Sequence, residues 1–356
     1  MTIFDKVLDW FSDLYQRDAK HRIAHFIDDG GGALKANEHY FRLWLDEMFL
    51  TDERRWFAEW HPAVHSAVTF EFGNQTQVVT RIAGAASLKD VDAGHLNRVS
   101  STAMKLTEVM PFKGGTIRIN SALLAMKGKD SVKQLVDVLS DFSSKLAVPQ
   151  LSTALDIARP LAQGVSALVG VTDGEMMLGL DTTLSSGPSL RSGSYAVVFA
   201  DENDVPKDQL SVVEKQLYFE GKHMIGRNYM LLRIESLPER DDWDSLDAIK
   251  QPYDQAIDML TSSDLDGDKQ VDAAQKILRK AIGAALKSPD LTEVDRRRVI
   301  DIIKQRYKDA KAMVGAGAFI RDTDRSLKAL LREAMSPSEA AAMGPITELE
   351  AFEGLH

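Results

Sequence analysis

The period of apolar positions changes several times along the chain, and the changes mark its elements. Thr116-Ile117-Arg118-Ile119-Asn120 alternates with period two and predicts a strand, and Met176-Met177-Leu178-Gly179-Leu180 predicts another. Between them, Val132, Leu135, Val136, Leu139 and Phe142 recur at three- and four-residue spacing. Ser131 with Gln134 gives that helix a capping-box start. Pro149 suits the first turn of a second helix, carried on by Leu151, Leu155, Ala158 and Leu161 and kinked at Pro160. A helical hairpin, residues 131–169, is therefore expected between two strands of a sheet. Its one-sided stripe is that of a hairpin packed on its own sheet.

Residues 1–62 are expected to be a helical, aromatic-rich segment. Phe4, Val7, Leu8, Phe11, Leu14 and Tyr15 form a stripe at helical spacing, Gly30-Gly31-Gly32 interrupts, and a second helical stretch follows from Asn37 to Trp60. Phe4, Phe11, Trp44, Trp56 and Trp60 are the candidate contact residues here, because aromatic side chains dominate interface hot spots. From Val64 the period becomes two: Val68, Phe70 and Phe72 alternate with Thr69 and Glu71, Gly73-Asn74 signals a turn, and Gln77 to Ile82 returns. Tyr195 to Phe199, Val212 to Phe219 and Tyr229 to Glu235 read as further strands. Short turns rather than helices join these strands, so residues 63–237 are expected to form an antiparallel, β-sandwich-like domain. From Trp243 the pattern is helical at 243–262, 270–287, 292–313 and 322–335, a C-terminal bundle over 243–335, with Thr292 and Asp295 approximating a capping box. Residues 336–356 form a tail in which Phe352 is a candidate docking residue. The fold class is α+β.

Composition narrows the classes. In a chain of 356 residues, 44% hydrophobic and 27% charged residues are those of a globular protein of two or three domains. The chain has no cysteine, which excludes disulfides, thiolate metal sites and a cysteine nucleophile, and agrees with a cytoplasmic location. No apolar run is long enough to span a bilayer, and no signal-peptide pattern opens the sequence. A net charge of −10 argues against general nucleic-acid binding.

Two patterns offer metal chemistry. His21/His25 and His61/His65 are His-x-x-x-His pairs, which on a helix place both imidazoles on one face, where zinc could be shared. Neither is a His-Glu-x-x-His motif, so that motif's general base is missing. Asp264, Asp266, Asp268 and Asp272 fit positions one, three, five and nine of an EF-hand-like calcium loop. Lys269 stands where the loop needs Gly, and Gln275 where it needs a bidentate Glu. The most basic run, Arg296-Arg297-Arg298 with Lys304, Arg306, Lys308 and Lys311, is diluted by Asp295, Asp301 and Asp309 and reads as a solvated helix face. No catalytic serine elbow, kinase signature or dinucleotide fingerprint occurs.

The sequence thus favours a non-enzymatic scaffold, adaptor or assembly component, with no cofactor, acting on a protein partner or on itself. A metal-dependent hydrolase using the paired histidines is the first alternative. A membrane-acting effector that releases the 131–169 hairpin is the second; membrane contact is not favoured.

Overall fold

The computed structural model describes residues 22–51, 54–55, 58–72, 75–84, 99–100, 103–127, 175–185, 190–240, 242–261, 267–315 and 335–355. It is a mixed α+β structure whose long strands pair antiparallel among the described residues. The 131–169 hairpin, the stripe from Phe4 to Tyr15 and all of the expected 322–335 helix but Met335 lie outside the described residues.

Chain contacts divide the molecule into two compact units. The β-rich unit lies within residues 1–35, 41–110 and 114–236; the helical unit takes 36–40, 111–113 and 237–356. In the β-rich unit, β1 (Arg22–Ala33), β11 (Arg191–Phe199), β15 (Tyr229–Leu237) and β2 (Tyr40–Phe49) run side by side, with the short β6 (Val99–Ser100), β7 (Met104–Lys105) and β8 (Met110–Pro111) against β2. A second sheet has the order β10 (Glu175–Ser185), β9 (Thr116–Lys127), β4 (Ala58–Phe72), with β3 (Arg54–Arg55) and β5 (Gln75–Gly84) both paired to β4. The strands that flank the hairpin segment, β9 and β10, are direct neighbours.

The helical expectation for residues 1–62 is corrected at 22–33 and 40–49, which are strands. Aromatic spacing resembled a helix, but Tyr40, Phe41, Leu43, Leu45, Met48 and Phe49 are all buried, which a strand covered on both faces allows. The triple glycine does not end β1. It loops out as a bulge between the pairs Asp28–Gly193 and Ala33–Arg191, with Gly30 and Gly32 in left-handed conformation. Asp28 and Asp29 accept the Gly30 and Gly31 N–H groups at 2.9 and 2.8 Å. On β11, a Cβ at Gly193 would lie 2.6 Å from the Ile27 carbonyl oxygen, so this crossing demands glycine.

The expected single strand from Val212 to Phe219 is instead two: β12 (Leu210–Val213) and β13 (Gln216–Phe219), followed by β14 (Lys222–His223). Both connections are two residues long, with Glu214, Lys215, Glu220 and Gly221 at positive φ, the geometry that matches strand twist. This meander buries Leu210, Leu217 and Met224 against Ile23, Phe49, Val198, Tyr229 and Leu231 of the first sheet. The buried Glu47 carboxylate fixes its position, accepting from the Leu217 N–H at 2.8 Å and lying 2.7 Å from His223 Nε2.

The helical unit is built from α1 (Asp247–Thr261), α2 (Gly267–Lys287) and α3 (Glu293–Gly315). Ile249, Ala256 and Leu260 of α1, Leu278, Ile282 and Ala285 of α2, and Val299, Ile303 and Tyr307 of α3 share one core with Trp243. The tail adds two short helices, α4 (Pro337–Met343) and α5 (Glu348–Phe352), and Ala351 and Leu355 enter the same core. Among the described residues no helix is long and apolar enough to cross a membrane.

Candidate interaction surface of the helical unit

The helical unit is organised around the start of α3. Thr292 caps it by accepting the Asp295 N–H at 3.2 Å, but the Asp295 carboxylate does not return to Thr292. Tyr40 takes that place: its hydroxyl accepts the Thr292 N–H at 2.9 Å and donates to Asp295 Oδ2 at 2.8 Å. Asp295 also accepts the Arg240 N–H at 2.9 Å and pairs with Arg298, which in turn pairs with Glu239. Burial pushes the Asp295 carboxyl upward against the opposing pull of Arg298, and burial with Asp295 pushes the Tyr40 hydroxyl well up. Nearby, Lys113 Nζ donates to the Leu291 carbonyl at 2.7 Å, and burial, aided by Arg296, brings the amine down to about 8.

The basic run is a solvated face at Lys308 and Lys311, but Arg297 and Arg298 are buried. Arg298 is 1% exposed. Its Nε donates to the Met335 carbonyl at 3.0 Å. Arg297 donates to the carbonyls of Gly344 and Pro345 at 3.0 and 3.2 Å, and Lys304 to that of Glu350 at 2.7 Å. From α2, Arg279 donates to the Leu355 carbonyl at 2.6 Å. Four cations thus hold the tail by its main chain. The i,i+4 ion-pair pattern gave no sign of this, because main-chain acceptors carry no sequence signal.

Alongside the docked tail, Arg279 and Lys280 of α2 face Glu348, Leu349, Glu350, Phe352 and Glu353 across an open groove of about 840 Å³. Leu349 is 85% exposed there, and Met343 on the neighbouring tail helix is 57% exposed. Phe352, expected as a free docking residue, is half-buried against the bundle core instead.

The other expected contact residues are differently placed. Trp44 is half-buried in the β-rich unit, where its Nε1 donates to Glu235 at 2.7 Å and the guanidinium groups of Arg42 and Arg233 each lie 5.2 Å from its ring. Arg233 is held by both oxygens of the buried Asp46 at 2.6 and 3.1 Å. Trp60 lies on β4; Phe4, Phe11 and Trp56 are outside the described residues.

The metal expectation for His61 and His65 is corrected by their strand. His61 and His65 both lie on β4, so their four-residue separation spans about 13 Å rather than one helical turn, and His25 lies on β1. Two imidazoles that far apart cannot share an ion whose bonds to nitrogen are about 2 Å. His65 is buried, and His25 Nε2 lies 3.2 Å from the Val205 carbonyl oxygen; His21 is outside the described residues. Asp268 and Asp272 sit on α2, exposed, while Asp264 and Asp266 are outside the described residues. Among the described residues no group of three or more His, Asp or Glu is arranged to hold a metal.

Comparison with known protein families, curated proteins and solved structures finds no match for this chain.

Proposed function

We propose that the protein is a non-enzymatic assembly component that works through protein–protein contacts, in a cytoplasmic setting. The observation that carries this is the groove between α2 and the tail. Leu349, 85% exposed, lines it together with Arg279 and Lys280 of α2 and Glu348, Glu350 and Glu353 of the tail. Together with Met343, 57% exposed on the neighbouring tail helix, Leu349 supports reading this side of the unit as an apolar contact surface rimmed by charge. A sandwich arrangement of the two large sheets goes with the same picture of a rigid carrier. The edge-to-face rings of Phe41 and Phe70, with centroids 5.9 Å apart, support it, as does the hydrogen bond between the Tyr195 and Thr182 side chains.

The test is the mass of the native protein in solution, by light scattering, for the natural chain and for Leu349→Asp. A defined oligomer, or a stoichiometric partner retained through purification, should be lost in the variant while its melting temperature stays within a degree or two. A natural chain that is monomeric and partner-free would overturn the proposal, as would an assembly indifferent to Leu349→Asp.

A further inference from the structure

Two cations lie at the start of α3, and neither forms an ion pair among the described residues. Lys113 is half-buried, and its Nζ bonds only to a main-chain oxygen, the Leu291 carbonyl at 2.7 Å. Arg296, one turn into the helix, donates from Nη2 to the Ser288 carbonyl at 2.8 Å. Its Nε–H is buried without an acceptor. An N–H taken out of water with nothing to bond is costly, and it marks a place where an anionic oxygen would be well received. The N-terminal end of a 23-residue helix favours negative charge at the same place. The Lys113 amine is also prepared for chemistry. Burial first, and the positive charge of Arg296 second, bring it down to about 8, while Glu293 and Asp290 oppose this less strongly. At neutral pH about a tenth of the chains hold this amine neutral, a far larger share than of a lysine at its ordinary 10.5. A neutral amine can donate one hydrogen to Leu291 and keep its lone pair for attack.

We propose that Lys113 is a carbon dioxide site, at which the side-chain amine takes up CO2 as a carbamate whose carboxylate is received by Arg296. The Nζ lone pair forms an N–C bond to the carbon of CO2, and one carbon–oxygen π bond breaks onto oxygen. One amine proton leaves to solvent; the other stays to donate to the Leu291 carbonyl. Nothing is oxidised or reduced. The charge pattern selects this electrophile over an acyl donor. An acyl group would bring a neutral oxygen to the Arg296 Nε–H, whereas a carbamate brings a full negative charge. The side chain changes from positive to negative, so Glu293 and Asp290, which favour the cation, oppose the adduct. The carbamate therefore depends on Arg296 and on the end of α3. This site is separate from the groove beside the tail, and the two proposals can fail independently.

The test uses the full-length chain equilibrated near pH 8 with isotope-labelled bicarbonate and dissolved CO2. Carbamates are trapped by alkylation with a trialkyloxonium salt and mapped by mass spectrometry. Lys280, Lys308 and Lys311, all exposed, serve as internal controls. Trapped label at Lys113 should exceed that at the controls several-fold, and at constant dissolved CO2 it should rise from pH 7 to pH 8. Lys113→Arg, which keeps a cation and a donor for Leu291, should remove that label and leave the control lysines unchanged. Arg296→Gln should lower the Lys113 label several-fold with the melting temperature little changed. The comparison among lysines in the natural chain stands even if Arg296→Gln does not fold. Label spread evenly over the lysines, or missing from Lys113, would overturn the proposal. So would a folded Arg296→Gln chain whose Lys113 label equals that of the natural protein.

Discussion

His65 shows what a single position can impose. It sits in the middle of β4, paired with Ile82 on one side and Ala122 on the other, and is fully buried. Burial holds its imidazole down at about 4, below the ordinary 6.5. The unfolded chain therefore takes up a proton between those values that the folded chain refuses. Stability from this position is complete above pH 6.5 and is lost as pH falls toward 4. The difference between these two pKa values corresponds to about 3 kcal/mol. Urea unfolding between pH 7 and 4 should show that loss, and His65→Gln should flatten the profile; an unchanged slope in the variant would sink the assignment. The four-residue spacing from His61 was visible in the sequence. Whether that spacing meant one helical turn or most of a strand was not, and the choice removes the paired metal site.

At the level of elements, local chemistry was readable wherever the signal was local. The hairpin of β4 and β5 follows from strict alternation, and its register pairs Phe72 with Gln75. Helices α1 to α3 follow from their periodic apolar faces. The meander was missed because Glu214-Lys215 adopts a left-handed turn without the Asn or Gly that usually announces one. The tail helices depend on their caps. Hydrogen bonds from Thr347 and Ser336 hold the Glu350 and Glu339 carboxyls below their ordinary range. Carboxylates lowered in the folded state add stability that is present above pH 4.5 and lost as pH falls through their folded values. Acid should therefore loosen α4 and α5 first, seen as faster amide exchange from Met335 to Leu355 than in α2. Thr347→Ala should produce the same loosening at neutral pH, by about 1 kcal/mol; equal exchange in both regions would refute the cap's role.

At the scale of the molecule, Asp295 gathers groups that are far apart in the chain. Tyr40, Arg240 and Arg298 all converge on one buried carboxylate. Removing it leaves the Tyr40 hydroxyl and the Arg240 N–H without their acceptor and takes one of two carboxylates from a guanidinium that is 1% exposed. Asp295→Ala should lower unfolding stability by about 3–5 kcal/mol, measured as a shift in the urea midpoint with unchanged slope. A loss below about 1 kcal/mol would show that the network is not what holds α3 to the segment around Tyr40.

Much of this protein was set by patterns of short range. Alternation gave the strands after Val64, three- and four-residue spacing gave the bundle helices, and composition gave a globular α+β chain without cysteine chemistry. Tertiary structure decided the rest, because it turned on long-range acceptors. Residues 22–33 became a strand through pairing with β11, and 40–49 through pairing with β15 and burial on both faces. The arginines of α3 turned inward because the tail offered main-chain carbonyls, a form of recognition that leaves no trace in side-chain identity.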